Sequence, residues 1–192
     1  MRRLALTLAA ALALAACSDK PAEPASATAT VPAPANTADA YALAAKGHGF
    51  TVGSMMAANT IYVYFDTTCP HCAQLWQNSQ PLLGQVKMVW MPVGLLRPQS
   101  LPQGATILAS ADPAAAMSAH EASVLAQGPG ITPAKDLPEA VLAQVRENTD
   151  ILNKLGSTSV PLVVYRNGKT GEHGQTSGAL DTDHLKGLVG LN

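Results

Sequence analysis

The chain has 192 residues, of which 47 % are hydrophobic but only 4 % aromatic; 13 % are charged, and the formal net charge is −1. A near-neutral, weakly charged chain lacks the basic surface that nucleic-acid binding needs, so that class is set aside. Three cysteines are too few for a disulfide-stapled scaffold, and their odd number asks for one with a separate fate.

Met1-Arg2-Arg3 is a short basic segment, and Leu4 to Ala13 is an apolar run too short to span a bilayer permanently. Together they read as a signal peptide. Leu14-Ala15-Ala16-Cys17 resembles the lipobox of bacterial lipoproteins, in which cleavage precedes the cysteine and the cysteine is lipidated. An ordinary secretory signal cut at an Ala-x-Ala site is the competing reading. On the first, residues 1–16 are removed and Cys17 carries acyl chains that anchor the protein, at about 0.8 kcal/mol per buried CH₂. Ser18 leaves out the aspartate associated with inner-membrane retention, which favours the outer membrane. Residues 17–40 are rich in Ala, Pro, Ser and Thr and are expected to form a tether without a core of its own. Residues 41–192 are then a single domain, long enough to bury a proper core.

Within it, Ile61 to Phe65 is a β-branched and aromatic run that predicts a buried strand. Pro70 to about Leu83 predicts a helix, with Cys72, Leu75, Trp76 and Ser79 on one face and a kink at Pro81. Val86 to Met91 predicts a second strand. An Ala-rich stretch from about 102 to 155 is helical in character. There Asp112-Pro113 opens a helix that Gly128 closes, and Pro138-Glu139 opens another that ends at Gly156. Pro161 to Arg166 predicts a strand, Asn167-Gly168 a hairpin turn, about Gly171 to Thr176 its partner, and Asp181 the start of a terminal helix. The order is that of a mixed α/β layered domain.

The chemistry centres on Cys69-Pro70-His71-Cys72. A strand end delivers Cys69 to the start of a helix, where free N–H groups and the positive end of the dipole favour a thiolate. Pro70 has no N–H to lose in the first turn. Two intervening residues put Cys72 one turn on, within reach of a disulfide. Cys69 is expected to be the exposed, low-pKa nucleophile and Cys72 the buried thiol that resolves a mixed disulfide. His71 adds positive charge or a donor. A stabilised thiolate favours the reduced pair, and so a potential nearer about −120 than about −270 mV.

No metal site is expected, because zinc needs a second ligand pair, and His48, His120, His173 and His184 read as isolated surface residues. Ala73 stands where haem attachment needs histidine. Trp76 and Trp90 read as core, and Met55 and Met56 as packing. Asp66 either supports the helix start or accepts a proton near Cys72, the first being favoured.

From about 60 to 190 the chain resembles the catalytic domain of periplasmic disulfide isomerases of the DsbC/DsbG type, closest to the DsbG branch. The resemblance rests on Tyr62-Val63-Tyr64-Phe65-Asp66, Cys69-Pro70-His71-Cys72, Leu75-Trp76-Gln77, Ile107-Leu108-Ala109-Ser110 with Asp112-Pro113, Glu121-Ala122-Ser123, and Leu155-Gly156 ahead of Val160-Pro161. It implies an α/β thioredoxin fold with a helical insertion, about 98–156, between the second core strand and the strand after Pro161. It also implies a cis Pro161 facing the redox pair, with the Val160 backbone offered to an extended substrate. Cysteine-containing envelope proteins would be the substrates and a membrane thiol–disulfide protein the electron partner, with no cofactor.

Those isomerases carry an N-terminal dimerisation domain, whereas only the tether and a short stretch precede the first clear strand here, so a monomer is expected. Threonine usually precedes their cis proline; Val160 and the Pro70-His71 pair resemble the oxidase DsbA instead. Isomerase or reductase follows from the overall resemblance and oxidase from these local residues. A non-catalytic chaperone or a thiolate metal-binding module is the alternative of a different class.

Overall fold

Strict alternation along three strands decides how the sheet is covered. In the computed structural model, which describes residues 34–57 and 60–191, β1 spans Phe50–Gly53, β2 Thr60–Asp66, β3 Lys87–Val93, β4 Leu162–Arg166 and β5 His173–Ser177. Ile61, Val63 and Phe65 of β2, Met88 and Trp90 of β3 and Val163 of β4 point to one face. Tyr64, Met91, Val93, Leu162 and Val164 point to the other. With a period of two, both faces are apolar and each needs a helical cover. The segments assigned to the signal peptide, to Cys17 and to most of the tether lie outside the described residues.

Among the described residues, six helices supply the cover: α1 Thr37–Ala44, α2 Pro70–Ser79, α3 Ser100–Ala109, α4 Pro113–Leu125, α5 Glu139–Lys154 and α6 Thr182–Val189. Leu75 and Trp76 of α2, Met117 of α4 and Leu185 and Val189 of α6 close the first face. Ala40 and Ala44 of α1 and Ile151 and Leu152 of α5 close the second. The strand order is β1-β3-β2-β4-β5. β2 and β3 are parallel, and all other pairs are antiparallel. This is a thioredoxin fold with α3 to α5 inserted between β3 and β4, as expected. Phe50, Trp76, Trp90 and Phe65 form a chain of edge-to-face rings with centroids 6.2, 5.0 and 5.7 Å apart. That places both tryptophans in the core.

Several boundaries differ from the sequence expectation, each for a local reason. Helix α1 starts at Thr37, before the assigned end of the tether, because Asn36 caps it by accepting a hydrogen bond from the Asp39 N–H. Strand β1 had no sequence expectation; it is four residues long and half of it faces solvent. Pro92 is tolerated inside β3 because β1 stops opposite Trp90, leaving that edge without a strand to bond. Pro81 marks a 3₁₀ turn, Gln80–Leu82, after α2 ends at Ser79. Asn167-Gly168 is not a two-residue hairpin turn. The Asn167 side chain accepts from the N–H groups of Lys169 and Thr170 and donates to the Leu188 carbonyl at the end of α6, holding a longer loop, 167–172. Met55 and Met56 do not pack: they are 66 % and 94 % exposed beyond the end of β1.

Asp66 ends β2, and the chain around it explains how the next loop is held. Its buried carboxylate accepts from the Thr68 N–H and hydroxyl and the Ser100 hydroxyl at one oxygen. The other oxygen accepts from the Leu95 and Leu96 N–H groups. A buried acceptor so fully used is a structural tie between β2, the turn before α2 and the start of α3. Asp66→Asn replaces one acceptor oxygen by an NH₂ group facing N–H donors or hydroxyls. Urea unfolding should then show a loss of about 3 kcal/mol; a loss within experimental error would remove Asp66 from this role.

Candidate functional site

Cys69 is the N-cap of α2, with extended φ and ψ of −96° and 113°, and Pro70 takes the first helical position. Its side chain makes no capping hydrogen bond. The sulfur thus sits at the N-terminal end of the helix, where the helix dipole favours a thiolate. Cys69 and Cys72 are both free thiols. The Val160-Pro161 bond is cis, as the family resemblance implied. Cys69 Sγ lies 3.6 Å from the Val160 carbonyl oxygen, which it approaches as an S–H donor. The structure thus brings Cys69, Cys72, Val160 and Pro161 together and leaves His71 exposed on the outer side of the motif. Cys69 itself is only 4 % exposed, not open to solvent as the sequence suggested, because the turn at Val160 lies over it.

The two thiols sit in opposite electrostatic environments. The Cys69 thiol is drawn down to about 6, chiefly because Cys72 donates a hydrogen bond to its sulfur. Burial opposes this, while the backbone N–H groups of Cys72 and His71 and the charge of His71 assist. Cys72 is fully buried, and burial pushes its thiol well above the ordinary range; donation to Cys69 and the neighbouring thiolate charge add to the rise. At neutral pH the arrangement can hold one thiolate beside one thiol, the asymmetry that attack through a single sulfur needs.

Two residues of the insertion reach the site, and sequence reasoning missed the role of both. His120 is fully buried, not a surface histidine. Its Nδ1 accepts from the Ile131 N–H at 3.0 Å, so Nε2 carries the proton and donates to the Thr67 carbonyl at 2.6 Å. Burial holds its imidazole below the ordinary range, consistent with a neutral strut. Gly130 makes this possible, since a Cβ there would stand 2.3 Å from the imidazole. Gln103 on α3 completes the clamp, donating to the carbonyls of Pro129 and Ile131 and accepting from the Thr67 hydroxyl. Glu121, next along α4, is also fully buried, and neither of its carboxylate oxygens has a hydrogen-bond partner in the protein. Only a histidine-glutamate pair in a helix with no other titratable residue signalled these two.

A cavity of about 550 Å³ opens beside the motif, lined by Thr68, Pro70, Arg97, Gln99, Gln127 and Pro129 among others. Among the described residues, no group of three or more His, Cys, Asp and Glu side chains is placed to hold a metal ion.

Comparison with known proteins fits this geometry. A thioredoxin family model matches residues 45–124. The thiol:disulfide interchange protein DsbG of Pseudomonas aeruginosa is 30 % identical over 140 residues, 72 % of this chain and 54 % of its own length. DsbG of Escherichia coli K12 is 30 % identical over 126 residues, 62 % of this chain and 48 % of its own. The chain therefore spans about half the length of these relatives. A periplasmic thioredoxin-like protein from Salmonella enterica serovar Typhimurium superposes with a TM-score of 0.61 at 18 % identity, covering 78 % of this chain and 94 % of that one. By fold, by family model and by its sequence relatives, the chain carries a thioredoxin-like domain and is similar to DsbG-type thiol:disulfide interchange proteins.

Proposed function

We propose that the protein is a thiol–disulfide oxidoreductase of the bacterial cell envelope that exchanges disulfides with cysteine-containing proteins through Cys69 and Cys72. The observation that carries this is the paired asymmetry of the two thiols: one drawn down to about 6 at a helix start, the other buried and raised. Cys69 attacks, or is attacked by, a substrate sulfur to give a mixed disulfide, and Cys72 closes or opens the internal disulfide. Val160 and Pro161 form the edge against which an extended substrate lies, its backbone pairing beside Cys69. Pro70 and His71 tune the pair. No cofactor is involved in these steps. A membrane thiol–disulfide protein resets the pair, and lipid on Cys17 holds the monomeric domain at a membrane, the outer membrane in preference.

Isomerase or reductase activity of the DsbG kind is the reading favoured by the sequence relatives. A dithiol oxidase is the second reading, and the Cys69 environment favours it specifically. A thiolate stabilised by hydrogen bonds and positive charge stabilises the reduced pair, which makes the disulfide the better oxidant. A potential nearer about −120 mV selects the oxidase, and one near about −270 mV the reductase. A Cys69→Ser protein that keeps full client protection would instead indicate a chaperone, and tight zinc binding by the reduced thiols a metal module.

Three outcomes test the proposal. Alkylation of reduced protein by iodoacetamide should show a reactive thiol with a midpoint near 6, lost in Cys69→Ser and retained in Cys72→Ser at a higher midpoint. An ordinary thiol midpoint in the wild type would contradict the site. Linkage gives the second. The folded Cys69 pKa of about 6 lies below the ordinary thiol value of about 9, so reduced protein carries an extra stability that is complete above about pH 9 and lost as pH falls through 6. Urea unfolding should therefore show the reduced form gaining on the disulfide form between those limits, and a pH-independent difference counts against the thiolate. For the anchor, a fatty-acid label should enter the wild type and be absent from Cys17→Ser; equal labelling would place the lipid elsewhere.

A further inference from the structure

We propose that the cavity beside Pro70 is a second substrate subsite, in which Arg97 binds an acidic side chain that flanks the reacting cysteine of the substrate protein. The inference rests on the exchange reading above and adds a feature by which substrates are selected.

Position comes first. Thr67, Thr68 and Pro70, which bracket Cys69, line the cavity, so a chain joined to Cys69 Sγ passes its mouth. Val160 and Pro161 are not part of that lining. The cavity therefore meets a part of the substrate that the cis-proline edge does not. Its volume of about 550 Å³ lies within the range of about 300–1,000 Å³ usual for ligand sites.

Charge decides what fits. Arg97 is the one charged residue of the lining, which contains no carboxylate. It is exposed, and among the described residues its guanidinium makes no ion pair and no hydrogen bond. Asp66, which ties the same loop, gives its oxygens to five other donors. The positive charge that assists the Cys69 thiolate is that of His71. Arg97 is thus a cation without an anion, and its planar fork matches a carboxylate. Gln99 and Gln127 also line the cavity, and their side-chain amides have no partner among the described residues, so both can donate to the same group. Val124, Leu125 and Pro70 supply apolar surface for its stem.

Both walls are fixed before a ligand arrives, which lowers the ordering cost of binding. On one side Asp66 holds the Leu95 and Leu96 N–H groups, and Ser100 Oγ accepts from the Arg97 N–H. On the other, α4 ends in a Schellman turn: the Gly128 N–H bonds the Ser123 carbonyl, and the Gln127 N–H that of Val124. The left-handed residue of such a turn is usually glycine, yet here it is Gln127, with φ of 62°. Glycine stands at 128 instead, where a Cβ would lie 2.5 Å from Ser123 Oγ. A side chain kept on strained backbone at the rim of a cavity points to a use for that side chain.

The test reduces the disulfide form of the protein with single-cysteine peptides, blocked at both ends, whose residue beside the cysteine is Glu, Gln or Lys. Acid quench gives the second-order rate constant for each. Arg97→Gln should slow the Glu peptide about fivefold, the size of one exposed ion pair, and leave the Gln peptide unchanged. Arg97→Glu should slow the Glu peptide further and speed the Lys peptide. These differences should shrink as salt rises toward about 1 M. An unchanged Glu-peptide rate in Arg97→Gln would overturn the proposal. An equal loss with all three peptides would overturn it too, and a raised iodoacetamide midpoint for Cys69 would then place the effect on the thiolate. Gln127→Gly, which relieves the strained backbone, should unfold at no lower urea concentration and still react more slowly with the Glu peptide alone. A wild-type disulfide that no peptide reduces, whatever its charge, would instead remove the exchange reading.

Discussion

The opposite environments of two neighbouring sulfur atoms govern this molecule. Cys72 can donate to Cys69 only if Cys72 keeps its proton, and it keeps it because it is completely buried. The same bond that lowers Cys69 raises Cys72, so the pair holds one negative charge and one proton. The rest of the fold serves this arrangement. Helix α2 must start at Cys69 for its N–H groups to face the sulfur, and Leu75 and Trp76 must lie in the core for the helix to sink Cys72. The aromatic chain from Phe50 through Trp76 and Trp90 to Phe65 joins that buried face of α2 to the sheet.

The helical insertion is the second support. Its residues close the first face of the sheet through Met117 and Ile107, and they also fix the approach to the motif. His120 bonds the Thr67 carbonyl, Gln103 the Thr67 hydroxyl, and Ser100 the Asp66 carboxylate. Three residues from α3 and α4 thus hold the turn that places Cys69, each through a buried hydrogen bond that would be costly to leave unmade.

The sheet and the site were legible in the sequence to different depths. Runs such as Ile61 to Phe65 are apolar on both faces and cannot be solvent-facing, so the central strands were readable from composition alone. Pro70 and the two-residue spacing announced the helix start and the thiol pair. What stayed hidden was tertiary. Nothing in the sequence around His120 or Glu121 says that α4 turns these two toward α2, because a helix with alanine nearly all round gives no face to read. Strand β1 is too short to show a period, and Asn167 reads as a hairpin residue until the end of α6 supplies carbonyls for its side chain. The exposure of Cys69 was misjudged for the same reason: the turn that covers it is 91 residues away in sequence.

That distant turn sets a condition on the thiolate. The contact from Cys69 to the Val160 carbonyl needs a proton on Cys69, whereas the bond from Cys72 to Cys69 is strongest when Cys69 has none. The two are alternatives, and ionisation chooses between them. When Cys69 is a thiol, its S–H occupies the Val160 oxygen; when it becomes a thiolate, that oxygen has lost its donor and faces a negative sulfur. A half-buried carbonyl left so gains from any incoming N–H. An extended chain carrying a disulfide would bring one alongside the sulfur it presents to Cys69. On the proposed exchange function, the proton that leaves Cys69 therefore frees an acceptor for a substrate backbone, so activation of the sulfur and opening of the adjacent edge follow from one event.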